Sequence, residues 1–380
     1  MANDERFMYE SIKQLKIRCL WPFGKSATPF FYCRHILLIL NCTQVWIGVI
    51  LHMIVVTKDH LDVSISGDIS VLAALVGLQS MLMTFVWKQK RLVHLIHELT
   101  DFSKFNKPKN YANEVHQLNF YSKMYGYYCI VGVLTYIYWR YLEGLQCYEN
   151  NEVKGLTEIC GLIASIWMPF DVEYFPVKQS LYVSHFIICF SMITGGAAIS
   201  FTTYEVAVGI VLKLQHLQQF LKTVFDNPVE EICKKQLFHC IEYHKHIIRL
   251  QELFDGFYKY CNGSYILMAG IIIASLANQY MKENNFGALL HLCGWLFSFF
   301  ICCHSGQIII SESEKIPNSA FEANWQGVST DLQKMLLLFI MRSQKKLELH
   351  GAPIGVMSYE LFIKLIQTSY SYFALLNQST

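Results

Sequence analysis

Five stretches of this chain, residues 36–56, 69–87, 179–204, 260–281 and 284–311, contain no Asp, Glu, Lys or Arg. A helix needs roughly 20 apolar residues to cross the hydrocarbon core of a bilayer, and each run is about that long or longer. Charged residues make up 16% of the 380-residue chain, against about 25% in a soluble domain, which is too few to clothe a chain of this size in polar surface. None of the runs alternates with the period of two that a barrel strand needs. Two weaker segments complete the set. Residues 124–139 are uncharged and continue through Arg140 to residue 145, and residues 361–376 are shorter and much more polar. The expectation is an all-α membrane protein with seven transmembrane helices at about 34–57, 67–87, 124–145, 179–212, 259–281, 285–311 and 360–377, in a single domain over residues 1–380.

Charge sets the expected direction of the spans. Lys and Arg number 25 in the N-terminal stretch and the loops that share its side, against 4 in the alternate loops. The positive-inside bias then puts the N-terminus in the cytoplasm and the C-terminus outside, the reverse of a G-protein-coupled receptor. Residues 1–26 lack the hydrophobic core of a cleaved signal, so the first span is expected to act as the anchor. Met8, Ile12 and Leu15 fall on one helical face. The cytoplasmic segments are the long ones and carry helical patterns, as at Ile241, Ile248 and residues 250–254. Several spans are therefore expected to run on below the bilayer into a cytoplasmic helical anchor bundle.

The seventh segment is the unusual one. Gln367, Thr368, Ser369, Ser371, Asn377 and Gln378 have no partners in hydrocarbon. Thr368, Ser371, Leu375 and Gln378 share a face at i, i+3, i+7 and i+10. Two arrangements answer this: a helix buried in its own bundle with its hydroxyls on neighbouring carbonyls, or a lining for a water path with a hydrophobic constriction. One stripe cannot enclose a channel, so the second arrangement requires several protomers around an axis.

The C-terminal third carries an ordered set of residues. It begins with Cys302, Gly306 and Gln307, then Ser311, Glu312 and Ser313, then Ala320, Phe321 and Trp325. Residues 336–338 follow, with Met341, Arg342, Ser343, Gln344, Lys345, Gly351 and Phe362, and the run 369–376 (SYSYFALL) closes it. Over about 75 residues this set resembles the insect odorant receptors. Ser371, Tyr372 and Gln378 also resemble the tail signature of the gustatory receptors, with Ser371 where Thr is usual and Ser379 where Phe is usual. The first 280 residues resemble the family in span layout and inverted topology only.

The odorant-receptor resemblance implies the sensing subunit of a ligand-gated, non-selective cation channel in the plasma membrane. It implies assembly with an odorant co-receptor subunit as a heterotetramer, passing monovalent and divalent cations. The last helix would line the pore through Thr368, Ser371, Tyr372, Leu375 and Gln378, with Leu375 at the gate and Gln378 just outside it. Residues 320–349 would make the main contact between subunits. A small volatile ligand would sit in the outer half of the second, third, fourth and sixth spans, at about 69–78, 136–145, 182–192 and 286–295. Candidates there are Leu72, Val76, Ile137, Tyr138, Tyr141, Phe186, Ile187 and Phe190; the alternative for each is plain bundle packing or a lipid-facing position. A gustatory-type channel and a seven-span G-protein-coupled receptor are the other readings.

The remaining signals are quieter. Arg140 and Glu143 are expected to pair locally, as are Glu360 and Lys364. Among 13 cysteines no CxxC occurs, and Cys147 and Cys160 in the long outer loop form a candidate disulfide. His239, His244 and His246 are expected on a solvated helix face, without HExxH spacing. No metal site or cofactor is expected. No nucleotide or serine-hydrolase motif points to an enzyme, and a net charge of +2 gives no footprint for nucleic acid.

Overall fold

The computed structural model describes residues 6–22, 28–58, 65–154, 158–284 and 286–378. Eleven helices follow one another in these residues: α1 (Tyr9–Ile17), α2 (Pro29–Lys58), α3 (Ser66–Trp87), α4 (Gln89–Thr100), α5 (Tyr111–Lys154), α6 (Val177–Lys222), α7 (Glu230–Glu283), α8 (Phe286–Ser313), α9 (Lys315–Phe321), α10 (Thr330–Ser343) and α11 (Tyr359–Gln378). Two two-residue strands, β1 (His350–Gly351) and β2 (Gly355–Val356), pair antiparallel between α10 and α11. The fold is all-α, and helices α2, α3, α5, α6, α7, α8 and α11 contain the seven expected spans. Of these, α2, α3, α6, α7 and α8 are long and apolar enough to cross a membrane; α5 and α11 fall short because tyrosines and amides dilute them.

Helices α5, α6 and α7 have 44, 46 and 54 residues. At about 1.5 Å per residue they are roughly 65 to 80 Å long, at least twice the hydrocarbon thickness. The surplus forms a second packed layer with α4, α9 and α10 at one end of the bundle, here the anchor end. Its core is aromatic: Phe105 stacks on Tyr243 at 4.3 Å, and Phe257 meets Phe85 edge-on at 5.6 Å. Of the three histidines on α7 expected on a solvated face, His244 is buried in this packing, and His239 and His246 are half-buried beside it. His244 is buried edge-on against Phe339, and His239 and His246 sit at 5.1 and 5.4 Å from Phe105. Met8 and Leu15 of the N-terminal segment are fully buried against α5 and α6, with Ser11 Oγ 2.7 Å from Ser122 Oγ.

Several buried polar atoms there lack a hydrogen bond, among them His246 Nε2, Gln251 Oε1 and Lys213 Nζ. Lys213 is 1% exposed, its Nζ has no acceptor among the described residues, and it lies 4.7 Å from the centre of the Phe102 ring. Burial pushes its ammonium down to about 8. Replacing such a group with an apolar one of similar length removes a desolvation cost, so Lys213→Met is expected to raise thermal stability by about 1 kcal/mol. A lower melting temperature for the purified variant would show that the cation–π contact outweighs desolvation.

Between the spans, small and polar residues set the helix spacing, as expected where lipid gives no hydrophobic drive to associate. Tyr258 donates to Thr202 Oγ1 at 2.8 Å, Asn262 Nδ2 to Thr203 Oγ1 at 3.2 Å, and Ser298 Oγ to Ser200 Oγ at 3.1 Å. The link from α10 to α11 is wedged between α7 and α8. Ala352 N–H donates to the Lys259 carbonyl at 2.9 Å, and His350 N–H to Asp255 Oδ1 at 2.7 Å.

Candidate ligand cavity and polar helix

Two contiguous cavities lie inside the bundle. The larger, about 660 Å³ with the space at its open side included, is bounded by α3, α5, α6, α7 and α8 through residues such as Tyr125, Val133, Ala197, Tyr265, His291 and Trp295. The second, of about 510 Å³, is almost wholly apolar and is bounded by Val71, Leu75, Ile188 and Met192. They share Leu78, Tyr136, Ile193 and His291. Aromatic contacts fix one wall: the Tyr265 ring stacks on Trp295 at 4.8 Å and 12°, and Trp295 Nε1–H donates to His291 Nε2 at 2.8 Å.

The roof comes from the loop before α6, which sequence reasoning passed over. Leu162, Ile163, Ala164 and Ile166 are all buried, and Ile163 and Ala164 border the second cavity. Trp167 N–H donates to the Gly48 carbonyl at 3.1 Å and Arg140 Nε to the Ile163 carbonyl at 3.1 Å. Cys147 and Cys160 are joined in a disulfide that pins this loop to the end of α5. His52 Nδ1 lies 2.7 Å from Asp68 Oδ2, and its Nε2 lies 3.5 Å from Glu158 Oε1, clasping the same loop to α2 and α3. Closing a loop of this length with a disulfide is worth about 3 kcal/mol. The Cys147→Ser, Cys160→Ser double variant is therefore expected to melt several degrees lower and to bind cavity ligands more weakly. Unchanged melting would mean that the clasp alone holds the roof.

The eight sequence candidates flank the cavities. Ile137, Phe186 and Phe190 sit in the packed cluster of Val133 and Ile163 beside them. Val76, Tyr138, Tyr141 and Ile187 face outward, Leu72 is half-buried, and none of the eight is among the lining residues. The lining positions are their immediate neighbours: Val71 and Leu75, Tyr136, His185, Ile188 and Cys189. One residue along a helix is a rotation of about 100°. Lipid is as apolar as the interior, so hydrophobicity does not reveal which face turns inward. The larger cavity also reaches Tyr125 and Ser298, deeper than the outer halves of the spans.

Helix α11 packs on α7 and α8 through Leu361, Phe362, Leu365 and buried Ser369. Its opposite face carries exposed Lys364, Gln367, Thr368 and Ser371. Thr368 and Ser371 hydroxyls donate to carbonyls of their own helix, at Lys364 (2.8 Å) and Gln367 (3.2 Å), and not to neighbouring helices. Lys364 pairs with Glu360 at 2.6 Å, and Arg140 with Glu143 at 2.6 Å. Tyr372, Leu375 and Gln378 have helical backbone, and their side chains lie outside the described residues.

A family model described as 7tm Odorant receptor matches residues 64–370. The chain belongs to the odorant receptor family. It is 22% identical over 354 residues to odorant receptor 85c of Drosophila melanogaster, covering 89% of this chain and 88% of that one. It is also 26% identical over 221 residues to Drosophila odorant receptor 67c, covering 56% of this chain and 54% of that one. A further match, 26% over 157 residues, is to the odorant receptor coreceptor of Ooceraea biroi and covers 39% of this chain and 32% of that one. Several curated relatives are thus matched over half their length or less, including the putative odorant receptor 92a of Drosophila at 36%. The fold of this odorant receptor is similar to that of the insect olfactory receptor OR5 from Machilis hrabei, solved in complex with eugenol, at a TM-score of 0.78 and 15% identity over 98% of each chain. It is a multi-pass membrane protein.

Proposed function

We propose that this receptor is the odorant-sensing subunit of a heteromeric, ligand-gated, non-selective cation channel in the plasma membrane. The N-terminus is cytoplasmic and the C-terminus extracellular. A small volatile ligand occupies the paired cavities, and the polar face of α11 lines the pore. The observation that carries this reading is that face: Gln367, Thr368 and Ser371 are exposed, and the Thr368 and Ser371 hydroxyls meet no other helix among the described residues. Hydrocarbon offers them nothing, whereas an axis shared by several protomers supplies water.

Two further observations support it. The anchor end exposes Leu337, Leu338, Met341 and Phe321 on and beside α10, an apolar group outside the bilayer that suits a subunit contact with the odorant co-receptor. Helix α7 also touches both sites, with Tyr265 on the cavity wall and Gly270 facing Leu365 and Ser369 of α11. A ligand that binds the open conformer better shifts α7 and α11 together.

The test is co-expression with the co-receptor and exposure to a panel of volatiles. Evoked cation current that requires both subunits is the expected result. Equal current from this chain alone would favour a gustatory-type channel. Silence from receptor present at the surface would remove the reading.

A further inference from the structure

We propose that His291 presents a fixed hydrogen-bond donor to the cavity, so that the ligands of this receptor are volatiles with an exposed acceptor oxygen, carbonyl compounds above all. This rests on the reading of the cavity as the odorant site.

The Trp295 indole fixes the tautomer of His291. An indole N–H can donate and never accept. It lies 2.8 Å from His291 Nε2, so that nitrogen must offer its lone pair. An imidazole accepting at Nε2 carries its proton on Nδ1. Packing holds the indole in this role: Trp295 is buried, one turn beyond His291 on α8, with its face against the Tyr265 ring at 4.8 Å. His291 therefore cannot exchange tautomers without breaking the Trp295 bond.

The Nδ1–H is unspent. It bonds no protein atom among the described residues, and His291 borders both cavities. A donor left open in an apolar enclosure costs free energy that a ligand acceptor recovers. Ser298 Oγ is already committed to Ser200. The ring of Tyr136, a residue shared by both cavities, lies 5.0 Å from His291, and its hydroxyl can give or take a proton bond. Tyr125, Tyr128 and Tyr265 also line the larger cavity, with hydroxyls that can likewise give or take. The His291 Nδ1–H can only donate and so selects for acceptors; an aliphatic hydrocarbon of the same shape leaves it unpaired.

The experiment uses receptor co-expressed with its co-receptor and compares the most potent carbonyl volatile of the panel with its near-isosteric analogue in which C=O is replaced by C=CH2. The carbonyl compound is expected to be more potent by roughly ten-fold or more. His291→Phe keeps an aromatic ring but removes the donor, and should lower the carbonyl compound to the potency of its analogue while leaving the analogue unchanged. His291→Asn, which retains a donor, should restore part of the difference. Equal potency of the pair at the unmodified receptor, or a His291→Phe variant that weakens both alike, would overturn the assignment while odorant gating itself stood. Silence to every volatile would overturn the odorant reading instead, and the assignment with it.

Discussion

Gly263→Val and Gly306→Val are each expected to abolish folded receptor at the cell surface. A Cβ at position 263 would lie 1.8 Å from the Ala352 carbonyl oxygen, and one at 306 would lie 2.0 Å from the Met357 carbonyl oxygen. Both obstacles are backbone, so no rotamer change relieves them. The segment from 350 to 358 is also held by the Lys259 carbonyl and Asp255, and it positions the start of α11. Overpacking a core costs typically about 1–3 kcal/mol and occasionally more. Because it pushes backbone from backbone, each change should exceed roughly 3 kcal/mol, a large part of the 5–15 kcal/mol that holds a typical protein folded. The control is Gly256→Ala on the same α7 helix, where nothing lies within 4 Å of the added methyl. It should stabilise by about 0.5–1 kcal/mol through helix propensity. Surface labelling and thermal melting of the three variants separate these outcomes. Normal melting of either valine variant would mean that the link does not sit in this groove.

The second large effect is on conduction. The double change Thr368→Leu, Ser371→Leu should leave assembly intact but reduce the maximal ligand-evoked current several-fold, because an apolar lining disfavours water and hydrated ions. Among the described residues each hydroxyl bonds only to its own helix, at 2.8 and 3.2 Å, so its loss strands no neighbouring donor, and stability should move by less than about 0.5 kcal/mol. A helix buried against protein would show the opposite pattern, with lowered stability and undiminished current per assembled channel.

The long apolar helices were legible because charge is so costly in hydrocarbon that its absence marks them out. The helices at Pro29–Lys58, Ser66–Trp87 and Phe286–Ser313 lie within a few residues of the expected 34–57, 67–87 and 285–311. The helical spacing of Ile241, Ile248 and Leu250 indicated a helix before the span, and α7 runs through it from Glu230. Gly306 could be picked out by resemblance, but its reason is a carbonyl brought close from 51 residues away, which no local pattern contains. Which helix face borders the cavity was not legible, as Ile187 against Ile188 illustrates: identical side chains, one exposed and one lining. The roof was hidden for a different reason. Residues 162–166 form an apolar run too short for a span, and their burial depends on the partners His52, Asp68 and Arg140, contributed by three separate helices.

The central claim is that the polar face of α11 meets water between protomers. Its most direct test is a Ser371→Cys receptor, assembled with the co-receptor and exposed to a charged, membrane-impermeant thiol reagent while ligand holds the channel open. Irreversible loss of current is expected, faster with ligand than without, and absent from the parent receptor carrying only its native cysteines. Current indifferent to the reagent, in channels that open normally, would contradict it.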